Sequence, residues 1–251
     1  MTPIALAVLA AAALLAGCAA PRGTDGPTDA TAPGAIAPFS ALKSLDGGPW
    51  TAWRLHPTKP TTEFRTVSVD GTRVVEALAD RSVSGLKHPV DIDPRERPIL
   101  EWRWRIDAPL AGADVADRYA DDAPVRVVLA FDGDISTLPV REQMFFERAK
   151  LLTGQDMPYA TLMYVWCNRN EPEAVVPNAH TSRVRKIVVQ SGDRGAREWI
   201  SYRRDIVADY ERAFGRTPGR LIAVGVMSDS DNTRQVSRGW YGDIRVRERA
   251  R

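Results

Sequence analysis

Residues Leu100-Glu101-Trp102-Arg103-Trp104-Arg105-Ile106 alternate between apolar and charged without a break. Only an extended strand sends successive side chains to opposite faces. Trp102, Trp104 and Ile106 therefore share one face, and Glu101, Arg103 and Arg105 the other. Coiled into a helix, the same residues would spread tryptophan and arginine around every side and bury neither. The chain must hold a sheet with one apolar face, and a second layer must cover it.

Other segments fit this demand. Runs 64–69 and 72–78 flank Asp70-Gly71, a pairing that predicts a hairpin. Further strands are expected at 125–131, 161–166, 184–190, 221–227 and 240–246. Two helices interrupt them. Pro139 opens a run from Arg141 to Leu152 that stops before Gly154. Residues 205–214 place Ile206, Tyr210 and Phe214 on one stripe, with Gly215 as the stop and Pro218 beyond. Strands without regular β-α alternation predict an all-β antiparallel β-sandwich with two peripheral helices.

The N-terminus carries a different message. An apolar run over 4–16 ends in Leu15-Ala16-Gly17-Cys18. It falls short of the roughly 20 residues that cross a bilayer. It has the form of a lipoprotein signal, small residues before a cysteine that accepts lipid. On this reading 1–17 is the signal peptide, 18–38 the lipidated Cys18 with a Pro, Gly, Thr and Asp-rich tether, and 39–251 a single domain. The chain is expected at the cell envelope, and Ala19 after the cysteine points to the outer membrane, facing the periplasm.

Composition narrows the chemistry. Thirty-four Lys and Arg against 32 Asp and Glu leave +2, so a nucleic-acid partner is not expected. With Cys18 acylated, Cys167 has no disulfide partner. His56, His88 and His180 lie far apart, without zinc spacing. No phosphate loop, dinucleotide glycine pattern or Gly-x-Ser-x-Gly elbow occurs, and no cofactor is expected.

Two acidic clusters remain. Asp229-Ser230-Asp231-Asn232-Thr233 follows an apolar strand and reads as Asx turns at a rim or as oxygen ligands. Five residues cannot supply the six to eight oxygens of calcium, so a metal is left open. Asp114, Asp117, Asp121 and Asp122 crowd one loop. They read as a solvated loop, as an ion pair of Asp122 with Arg126, or as the paired carboxylates of glycoside hydrolysis.

A series of short motifs adds a resemblance. It comprises Ser84-Gly85-Leu86, 100–105, Asp121-Asp122 with Arg126, Tyr164-Val165-Trp166, 187–192, Trp199, Arg204 to Gly215, 229–233 and Tyr241-Gly242-Asp243-Ile244. Together they resemble the bacterial domain of unknown function 3047 over about residues 48–247. The aromatic-x-Asp-Ile close more distantly resembles the last strand of jelly-roll carbohydrate-binding modules, which implies a jelly-roll form of the sandwich and a glycan as partner. Arg103, Asp122, Arg126, Asp231 and Asn232 are expected to line one polar groove, with Tyr164 or Trp166 as its aromatic platform and Trp240 as a further candidate. The function expected is a non-catalytic binding module, its membrane contact made by the lipid anchor. The alternatives are a glycan-active hydrolase or lyase using loop carboxylates, and a structural envelope protein that binds another protein.

Replacing Cys18 with serine (Cys18→Ser) should abolish fatty-acid labelling of the chain. Label that is still incorporated in this variant would overturn the lipoprotein reading.

Overall fold

The computed structural model describes residues 34–250. Residues 1–17, Cys18 and the tether as far as 33 lie outside them. The chain runs through β1 (Thr51–Trp53), β2 (Glu63–Val69), β3 (Thr72–Asp80), β4 (Val83–Ile92), β5 (Ile99–Ile106) and β6 (Ala123–Phe131). After helix α1 (Val140–Thr153) come β7 (Ala160–Cys167), β8 (Val175–Pro177), β9 (Val184–Ser191) and β10 (Ile200–Asp205). Helix α2 (Ile206–Phe214) precedes β11 (Leu221–Asp229), β12 (Val236–Tyr241) and β13 (Arg245–Arg247).

Two sheets face each other as a β-sandwich. One has seven strands in the order β1-β4-β11-β6-β7-β9-β8, and the other runs β10-β5-β12-β3-β2, with β13 also on β5. The chain crosses between sheets at β1–β2, β3–β4, β4–β5, β5–β6, β9–β10, β10–β11 and β11–β12, the repeated exchange that makes the sandwich jelly-roll-like. Pairing is antiparallel apart from β7 with β9; β8 pairs with β9 from its other side.

The alternation of β5 holds. Trp102, Trp104 and Ile106 are buried between the sheets, where Trp102 stacks on Tyr164 at 4.9 Å and on Tyr202 at 5.0 Å. The 70–71 hairpin and both helices form as expected. The Asp205 carboxylate caps α2 by accepting from the amides of Val207 and Ala208, and Gly215 closes it at a φ of 69°, a conformation that glycine adopts without strain.

Two expectations are corrected, and one strand is added. The tether was to end at 38, but Ile36 is buried in the core, and the Ala37 carbonyl accepts from Trp50 Nε1 at 2.9 Å. These apolar and backbone groups tie the chain down before Phe39. The strand expected over 240–246 is two strands. Tyr241 pairs with Trp104 and Arg245 with Glu101, so four steps on one side match three on the other, which is a bulge. Strand β4 carried no clear sequence signal because Pro89 interrupts it. Pro89 lies where the β4–β11 register shifts, the place where a sheet tolerates a residue without an N–H.

The sheets differ in what covers them. Every residue of β7 is buried, because the centre of the seven-stranded sheet is covered on both faces. Its outer face carries a second apolar cluster, Val128, Met163, Val165, Val188 and Met227, capped by Val115 from the loop before β6. A strand buried on both sides reads as one apolar run, and Ala-Thr-Leu-Met-Tyr-Val-Trp-Cys does.

Trp166 is fully buried, with its Nε1 donating to the Gly192 carbonyl at 2.9 Å. Trp166→Ala should cost roughly 3–5 kcal/mol, read as a large fall in Tm in thermal unfolding followed by circular dichroism.

Candidate functional site

The expected groove does not exist as one surface. Arg103 lies on β5 and Arg126 on β6, in opposite sheets. Each points outward, so the two arginines occupy opposite sides of the sandwich. Tyr164 and Trp166 face the interior and are fully buried, so neither can serve as a platform. The Tyr164 hydroxyl donates to Asp209 at 2.9 Å, and Arg204 holds the same carboxylate. Burial, with the Asp209 charge beside it, holds the Tyr164 hydroxyl well above its ordinary pKa.

The structure does bring together Asp122, Arg126, Asp231 and Asn232, at the rim where β11 ends and β6 begins. The Arg126 guanidinium is buried on the outer face of the seven-stranded sheet. It donates to both oxygens of Asp229, at 3.0 and 2.9 Å, and to Asp121 at 3.1 Å. Lys186, also buried, donates to the other Asp121 oxygen and to the Val115 carbonyl. Asp122 accepts from the amides of Asn232 and Thr233 and from the Thr233 hydroxyl. Asp231 pairs with Lys59.

Oxygens of Asp122, Asp229 and Asp231 lie within 4.8 Å of one another, close enough to share a cation. Yet each of these carboxylates already accepts from backbone amides, Arg126 or Lys59. The network pins two loops to the sheet. Lys186, which belongs to it, was not singled out from sequence. Its only signal was an ionisable side chain at an outward position among apolar neighbours.

The pKa values fit a crowded, buried cluster. Burial raises Asp229, and the Asp122 and Asp121 carboxylates add to this against the pull of Arg126, leaving it at about 7. Asp121 is held below the usual range: burial works against ionisation, but Arg126 and Lys186 outweigh it.

The solvent-facing chemistry lies on the other sheet. Trp240 on β12 pairs with Arg105 on β5. Ile200 pairs with Trp104, which sets Trp199 opposite Arg105 on its other side. The two tryptophans thus flank β5, about 10 Å apart for two strand spacings. The Arg103 guanidinium lies 4.8 Å above the Trp199 ring and that of Arg105 lies 5.2 Å above Trp240. Glu76 is taken by Arg65 and Arg238, and Glu101 by Arg203 and Arg247. Among the described residues Arg103 and Arg105 make no ion pair, and the buried Arg105 Nε has no hydrogen-bond partner. Trp199 was visible in sequence only as part of a motif, since it stands just before its strand.

A cleft of about 590 Å³ opens between the edge strands β1 and β2, beside Trp53 and Phe64. Its charged side chains are engaged, Arg54 with the Pro57 carbonyl and Asp46 with Ser44, and Thr62 donates to the Ser228 carbonyl. Guanidinium groups without an acceptor distinguish the Arg103–Arg105 face from this cleft.

The fold and this open face define a β-sandwich with an aromatic, arginine-bearing sheet surface. The chain belongs to the family of proteins of unknown function DUF3047, whose profile matches residues 48–245. No curated protein sequence matches it. Solved structures similar to it include a family 11 carbohydrate-binding module from Clostridium thermocellum, in complex with a β-1,3-1,4-mixed-linked tetrasaccharide. That likeness has 8% identity and a TM-score of 0.44 over 86% of this chain and 95% of that one. The xyloglucanase domain of NopAA from Sinorhizobium fredii matches at 10% identity and TM-score 0.43, over 82% and 95%. A carbohydrate-binding module specific for non-crystalline cellulose matches at 10% and 0.38, over 86% and 96%.

Asp229 supplies a pH test. Its folded pKa lies above the unfolded value near 4, so the folded state binds the extra proton and this contribution falls as pH rises from about 4 to 7. In Asp229→Asn the fall in Tm assigned to this group should vanish across that window. A wild-type profile matching the variant's would show that Asp229 titrates alike in both states.

Proposed function

We propose that this chain is a non-catalytic envelope module that binds an acidic glycan on the outer face of the six-stranded sheet. The observation that carries the reading is the pair Arg103 and Arg105, unpaired cations resting on Trp199 and Trp240. Sugar C–H faces stack on indole rings, while hydroxyls and carboxylates need donors beside them. An unpaired guanidinium offers a fork of N–H groups that fits a carboxylate in two-point contact. A uronic-acid saccharide supplies both halves, the apolar ring face and the carboxylate. Cys18 as lipid acceptor would hold this module at the membrane.

The loop carboxylates favour this reading over hydrolysis. Asp114 and Asp117 accept from amides two residues on, as Asx turns, and Asp121, Asp122 and Asp229 are committed to the rim network. Glycoside hydrolysis needs two carboxyls facing a shared cleft.

Titration calorimetry with oligogalacturonate and with a neutral cello-oligosaccharide tests the proposal. The acidic sugar should bind, and more weakly at higher salt, because exposed charges are screened. Trp240→Ala and Arg105→Ala should each weaken binding about tenfold, about 1.4 kcal/mol, with Tm nearly unchanged because both side chains are partly exposed. Equal binding of the neutral sugar would remove the charge argument. Unaltered affinity in both variants would remove the face itself.

A further inference from the structure

Helix α1 is docked by one side only. Phe146 is buried in the core, Phe145 packs against it, and Glu142 accepts from the Thr181 hydroxyl and the Ser182 amide. The opposite side carries apolar residues that nothing covers. Val140, Met144 and Leu151 are 71%, 58% and 84% exposed, and Leu152 is 63% exposed. At 3.6 residues per turn the first three fall within an arc of about 40°. Glu147 shares their stripe. Arg141 and Arg148 flank it and make no ion pair among the described residues, while Lys150 pairs with Asp156. Water gains nothing from such a ridge, and an apolar stripe with arginines beside it is the form of a helix lying in a membrane interface.

The position of the ridge favours the same occupant. Phe131 at the end of β6 pairs with Ala160 at the start of β7, so the insert carrying α1 leaves and returns at one end of the sandwich. Leu221 and Ile92 lie at that end, paired with each other and Leu221 with Phe131. Gly34, the first described residue, lies there too: a Cβ on it would stand 2.9 Å from Ile92 Cγ1. The segment with Cys18 therefore joins the sandwich at the end that bears α1. Gly34 follows Cys18 by 16 positions, which covalent geometry limits to about 55 Å.

We infer that the Val140–Met144–Leu151 ridge rests on a phospholipid bilayer, with Arg141 and Arg148 at the headgroup phosphates. The glycan-binding sheet face is a separate surface, and the inference does not depend on it. The reading of Cys18 as lipid acceptor bears only on which end of the domain meets the membrane.

A local probe tests this. A full-length Cys18→Ser chain carries Leu151→Cys, labelled with an environment-sensitive fluorophore; the buried Cys167 is spared. Arg118→Cys, at the opposite rim beside Asn232, is the control. Vesicles of phosphatidylglycerol and phosphatidylethanolamine should shift the emission at 151 to the blue, and brominated acyl chains should quench it. The probe at 118 should do neither. Val140→Glu with Met144→Glu should abolish the shift at 151 while Tm holds, since both residues are exposed. No shift at 151, whether the chain stays in solution or binds by another part, overturns the inference. A shift that needs no vesicles and grows with protein concentration overturns it too, and assigns the ridge to a second copy of the chain.

Discussion

Arg126 occupies a position where an outward strand residue ordinarily meets water. Here it is buried, and two carboxylates satisfy it: Asp229 through both oxygens and Asp121 through one. Lys186 balances the second Asp121 oxygen. Removing one partner of such a pair leaves a charge in a poorly solvated site and costs several kcal/mol. The loop before β6 is therefore held down across the sheet, and Val115 comes with it to close the second apolar cluster.

That one constraint sets the asymmetry of the molecule. Around β6, β7 and β9 the seven-stranded sheet becomes an interior layer, its outer face closed by the ionic network and the second apolar cluster. The six-stranded sheet keeps one face on the core and one in water. Tyr241 locks the two together, its hydroxyl donating to the Met227 carbonyl at 2.6 Å and accepting from the Arg126 amide at 3.1 Å. Arginines at alternate positions of β5 then become the chemistry of the exposed side, while the tryptophans between them fill the core. Function and stability are thereby separated onto different sheets: the ionic network that reads as a site from the sequence is structural, and the binding face we propose lies across the sandwich from it.

Most of the strand content was legible. Period-two alternation in β5, Asp70-Gly71 between two runs, and the Asp205 and Gly215 signals of α2 are local, and local physics decides them. The strands that escaped notice were those with interrupted patterns, such as β4 around Pro89 and β10 with polar residues on both faces. Of the candidate site, the gathering of Asp122, Arg126, Asp231 and Asn232 was legible because acids near an arginine at neighbouring strand ends tend to meet. Its burial was not, because the loop that covers it carries no apolar run, only Val115 and a few small residues.

Residue order alone decided which way side chains alternate, where the chain turns and where helices start and stop, because those choices are made within a few residues. It could not decide which sheet each strand joins. Arg103 and Arg126 have the same outward parity, yet β5 and β6 part into opposite layers, and their arginines end on opposite sides of the protein. Tyr164 and Trp166 look like ligand platforms beside apolar neighbours, but the second sheet and α2 close over them. Sheet membership is a matter of long-range pairing and of what lies above each face, and no local pattern of side chains carries that information.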